Sequence, residues 1–73
     1  MLPPKTDPRW KKIAMDPTAV AMTALPSRML MMRIKQINPG NDPKKLEEAI
    51  GIAYEFFQKN QNIVAQDIKL LFG

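Results

Sequence analysis

The chain has 73 residues, 45% of them hydrophobic and 25% charged, with a formal net charge of +4. That length holds one domain with a small core, and the absence of Cys excludes disulfides and thiolate metal sites as staples. With no His and no Cys, the commonest general base and the best nucleophile are both missing, so the expected protein is not an enzyme and carries no cofactor.

Met1 to Thr6, with Pro3 and Pro4, reads as an unstructured lead. Met1 to Lys12 lacks the apolar stretch of a secretory signal. The most apolar run, Thr18 to Ile34, is broken by Pro26, Ser27 and Arg28 and falls short of the roughly 20 apolar residues of a membrane span. A soluble, cytoplasmic protein is expected. Asp7-Pro8 starts a short helix, because an Asp carboxylate accepts from first-turn amides and Pro at the first helical position loses no hydrogen bond. Trp10, Ile13 and Ala14 give it one apolar face. Asp16-Pro17 ends this helix and can start another over Thr18 to Ala24, which Pro26 stops or kinks.

Ser27 to Ile37 is predicted as the next helix, with Ser27 as its N-cap and Leu30, Met31, Ile34 and Ile37 on one face. Asn38-Pro39-Gly40-Asn41 is a loop. Asp42-Pro43 starts a long helix over 43–59, whose stripe is Leu46, Ala49, Ile50, Ala53, Phe56 and Phe57. Gly51 inside it implies either close packing of another helix or an exposed face. Lys59-Asn60-Gln61-Asn62 ends it, and Asn62 caps a last helix. There Val64, Ala65, Ile68, Leu71 and Phe72 face inward, and Gln66, Asp67 and Lys69 face outward. The fold class is therefore all-α: four to five short helices ordered around a C-terminal hairpin over 42–72.

Charge is uneven. Residues 1–37 carry seven basic and two acidic residues, a net of +5, and residues 38–73 carry four and five, a net of −1. Arg9, Lys11 and Lys12, and likewise Lys44 and Lys45, stand near helix starts, where free amides and cations can together hold an anion. For Lys44 the alternative is an i,i+4 pair with Glu48. Trp10 is read as core or as a stacking surface for a base. Glu47 and Glu48 diverge around a helix and cannot pair as acid and base, and Asn38 to Asp42 lacks the spacing and terminal Glu of a calcium loop, so no metal site is expected.

Met15, Met22, Met29, Met31 and Met32 crowd into eighteen residues. Methionine fills cores and also lines adaptable interfaces. Met29 and Met32 fall off the inward stripe, with Arg28 and Arg33 beside them, and mark a candidate partner-binding patch. The resulting expectation is a small interaction module, adaptor or regulator, that binds another protein or itself. The alternative is a nucleic-acid-associated protein using the basic N-terminal half.

Overall fold

The computed structural model describes residues 2–19 and 21–73. Met1, in the expected lead, and Val20, in the expected helix Thr18 to Ala24, lie outside them. Among the described residues the structure is all-helical, with four helices: α1 (Pro8–Met15), α2 (Leu25–Ile37), α3 (Pro43–Lys59) and α4 (Ala65–Phe72). The radius of gyration of 11.0 Å equals the value of about 11 Å for a compact chain of this length.

Two Asp-Pro pairs start helices as expected. Asp7 Oδ1 accepts from the amide of Arg9 at 2.9 Å, and Asp42 Oδ1 from those of Lys44 and Lys45 at 3.0 and 3.4 Å. The third pair does not. Asp16 closes α1 by donating its amide to the Lys12 carbonyl, and its own carbonyl then takes the Ala19 amide in a turn. No described residue of 18–24 is helical. The Thr23 and Ala24 amides are instead drawn to a carboxylate on α4, which leaves Ala24 extended.

α3 is the longest helix and packs against both α1 and α2. Its stripe of Leu46, Ala49, Ala53 and Phe57 is buried, and it meets Trp10, Ile13 and Ala14 of α1 and Leu30, Met31 and Ile34 of α2 in one core. Trp10, only 1% exposed, anchors one end. Its ring lies 5.5 Å from Tyr54, 6.1 Å from Phe57 and 4.7 Å from Phe72, so one side chain joins α1, α3 and α4. Its indole N–H donates to the Pro3 carbonyl at 3.1 Å. A buried indole needs an acceptor, and Pro3, within the expected lead, supplies it; Leu2 and Pro3 are half-buried, while Pro4, Lys5 and Thr6 are exposed. Leu2 packs against the core, and the Pro4 carbonyl accepts from the Asp7 amide.

Two local expectations are corrected, and the open choice at Gly51 is decided. Ser27 is not the N-cap of α2: the helix starts at Leu25, with Pro26 in its first turn, where a missing N–H is harmless. Asn62 does not cap α4. The Asn60 carbonyl accepts from both Ile63 and Val64, and the helix starts after buried Val64 without a side-chain cap. Gly51 admits no neighbouring helix: a Cβ built there meets nothing within 4 Å.

Candidate functional site

At 100° per residue, Ser27, Leu30, Met31 and Ile34 form one face of α2, and all four are buried. The opposite face is also apolar. Leu25, Met29 and Met32 stand at i, i+4 and i+7, one row of a helix, and are 66%, 61% and 62% exposed. Arg28, Arg33 and Lys35 flank this row, and α2 contains no acidic residue. Arg28 Nε donates to the Met22 carbonyl at 3.0 Å, which holds the guanidinium along one edge. Met32, Arg28 and Lys35 share a shallow hollow of about 220 Å³ with Pro17, Thr18 and Met22.

Met29, Met32, Arg28 and Arg33, singled out from the sequence, are all exposed on α2, with the two arginines on opposite sides of the methionines. Sequence reasoning missed Leu25 and Lys35 as members of this group. Leu25 falls outside the expected helix because that helix begins only after Pro26. The signal was present: Pro is favoured in the first turn, and a helix begun one residue earlier places Leu25 four before Met29.

The start of α2 is held from across the fold. Asp67 of α4, read as a solvent-facing residue, is fully buried. Its carboxylate accepts from the Thr23 amide at 2.7 Å, the Thr23 hydroxyl at 2.8 Å and the Ala24 amide at 3.0 Å. These donors precede the first turn of α2, which has no side-chain cap of its own, so the acid from α4 fixes the backbone that leads into the helix. Burial pushes the carboxyl pKa up, but the Thr23 amide and hydroxyl and the Ala24 amide outweigh it and hold the group below its ordinary range. Ser27 Oγ, buried beside this carboxylate, adds to the lowering although no hydrogen bond of good geometry joins them.

The candidate anion contacts are dispersed. Arg9 is committed inside the molecule: Nε and Nη2 donate to Asp7 at 3.0 and 2.9 Å, Nη1 donates to the Phe72 carbonyl at 3.2 Å, and the guanidinium lies 5.4 Å from the Phe72 ring. Its hydrogen bonds hold the Asp7 carboxyl down at about 2. The Lys44 and Lys45 amides, needed free for an anion, are occupied by Asp42. The pair of Lys44 with Glu48 does not form. The i,i+4 ion pair present is Glu55 with Lys59 at 2.8 Å. Lys44 and Lys11 line a broad groove of about 920 Å³ with Lys5, but Glu47, Glu48 and Glu55 line it too. Lys12 is exposed at a separate hollow between α1 and α4. Trp10, buried among three aromatic rings, offers no free ring face to a base.

Among the described residues no three acidic side chains converge as a metal centre, and no helix is long and apolar enough to cross a membrane. Comparison with protein-family models, with curated proteins and with solved structures finds no match to this chain.

Proposed function

We propose that this chain is a small non-enzymatic interaction module, an adaptor or regulator, that docks another protein along the outward face of α2. One observation carries the reading. Leu25, Met29 and Met32 form an apolar row that is more than 60% exposed at each position, on a helix whose other face already supplies the core. An exposed apolar row with a charged rim is the surface composition of a docking site, and methionine, unbranched and polarizable, adapts to a partner's shape. The small size adds support, since a chain of this length gains much of its missing burial from association.

The alternative, nucleic-acid binding by the basic N-terminal half, has less behind it. Trp10 belongs to the core and Arg9 to Asp7 and Phe72, which leaves Lys11 and Lys12 without an aromatic partner.

The reading is tested by placing a photo-crosslinking side chain at position 29 or 32 in cells, with position 58 on exposed α3 as control. Polypeptide adducts at 29 and 32 and none at 58 are expected. Equal adducts at all three positions, or adducts that are nucleic acid or lipid, would overturn it.

A further inference from the structure

We infer that the occupant of this face is an amphipathic helix of a different protein with acidic residues along both of its flanks. The inference rests on the docking reading above and names its partner. From Leu25 to Met32 the apolar row runs roughly 10 Å along the axis at 1.5 Å per residue, and exposed Gln36 continues the same line in the last turn. A partner helix of two to three turns covers that length, laying its own apolar row against it.

Charge decides which helix. At 100° per residue, Arg28 and Lys35 lie roughly 70–90° to one side of the row's centre and Arg33 roughly 70° to the other. Both edges are therefore positive. Among the described residues none of the three forms an ion pair and α2 has no acid; the one carboxylate beside the hollow near Met32 is that of Asp16, which accepts from the Thr18 hydroxyl at 3.1 Å and leaves the three cations in excess. A partner with Glu or Asp on both flanks meets a cation on each side, and one with basic flanks is repelled.

The same arrangement argues against the other occupants. A second copy in a two-fold contact would place α2 against α2 and bring three cations against three. Nor does the chain offer a surplus acidic face for a head-to-tail contact, because Glu47, Glu48 and Glu55 share their groove with Lys5, Lys11 and Lys44. A helix lying in a membrane surface needs a broad apolar face. α2 spends its broad face on the core and turns outward only a narrow row.

The experiment uses the full chain and three synthetic helical peptides of about 14 residues. They share one apolar row and carry Glu, Gln or Lys on both flanks. Binding is followed by fluorescence anisotropy, and the site by amide shifts over residues 25–36. The Glu peptide should bind at least about tenfold tighter than the Gln peptide, with the difference shrinking in high salt. In the chain carrying Arg33→Glu and Lys35→Glu the preference should reverse toward the Lys peptide. Glu and Gln peptides bound equally at residues 25–36 would overturn the acidic partner while leaving the docking face in place. Absence of binding by any peptide would overturn the acidic partner, and the cross-linking result would then decide whether the docking face survives. Self-association in sedimentation that Met29→Gln/Met32→Gln abolishes, or binding of phosphatidylglycerol vesicles lost in the same variant, would overturn it in favour of a second copy or a membrane.

Discussion

Met31 and Met32 are neighbours in sequence and opposites in structure: one is 6% exposed, the other 62%. The two faces of α2 are similar in composition, each with methionine and branched aliphatic side chains, yet only one contributes to folding. Burying a side chain of this size is worth about 1.5–3 kcal/mol, and the inward residues collect it against α3 while Leu25, Met29 and Met32 do not. Hydrophobicity alone therefore says little about a residue's work in this protein. Its angle around α2 decides whether it stabilises the monomer or stands available to something else.

The comparison breaks most visibly at Ile34, which is completely buried. Ile34→Ala should cost about 2–5 kcal/mol through lost transfer energy and the cavity left behind. That is a large part of the roughly 4–11 kcal/mol expected for a domain of this size. Leu25→Ala, a truncation of similar size on the outward face, should lower the unfolding free energy from urea titration by less than about 0.5 kcal/mol. Equal losses in the two variants would mean that the faces are not distinct.

Asp67 holds the start of the helix that separates them. Asp67→Asn keeps the shape but loses the charge that three donors share, at a cost of about 2 kcal/mol. The variant also changes the response to acid. The folded carboxyl lies below its unfolded value of about 3.9, so between the two the unfolded chain binds more protons. Its contribution is present above pH of about 4 and is lost as pH falls through the folded pKa. Asp7, held at about 2 by Arg9, acts in the same direction. Thermal melts from pH 7 to pH 2 should therefore fall less steeply in Asp67→Asn than in the wild type. Parallel curves would show that this carboxylate does not feel folding.

Gly51 offers a smaller effect of opposite sign. It lies within α3 with open space where a Cβ would go, so Gly51→Ala should stabilise the chain by about 0.5–1 kcal/mol through helix propensity. A loss of stability would mean that something does pack there.

How much of this was legible beforehand follows from the range of the interactions. Asp7-Pro8 and Asp42-Pro43 act within three residues, and the starts of α1 and α3 were read correctly from them. The end of α3 at Lys59 follows from the polar run Lys59-Asn60-Gln61-Asn62, and its buried Leu46, Ala49, Ala53 and Phe57 and the exposure of Met29 and Met32 agree with helical periodicity. The failures involve distance in sequence. Asp67 reads as solvent-facing beside Gln66 and Lys69, because its donors stand more than forty residues away. The same long-range bonds hold Thr23 and Ala24, at the end of the expected helix, out of helical conformation, and Ser27 loses its expected capping role because α2 already starts at Leu25. The contact of Pro3 with the core was not legible for a similar reason, since its carbonyl finds its donor in the buried Trp10 indole seven residues on.

The smallest effect on stability is the sharpest test of the contrast between the faces. Met29→Gln/Met32→Gln places two polar side chains where 61% and 62% exposure already lets water in. Glutamine matches methionine in length and nearly in helix propensity, so neither backbone nor volume is disturbed. The unfolding free energy from urea titration should stay within about 0.5 kcal/mol of the wild type per site, and the helical circular dichroism should keep its wild-type amplitude. Met31→Gln, one position away, puts an amide into the core without a partner and should cost several times more. That difference between adjacent methionines is what an exposed row demands. If the double variant is as unstable as Met31→Gln, residues 29 and 32 are buried in solution and α2 has no outward face to offer a partner.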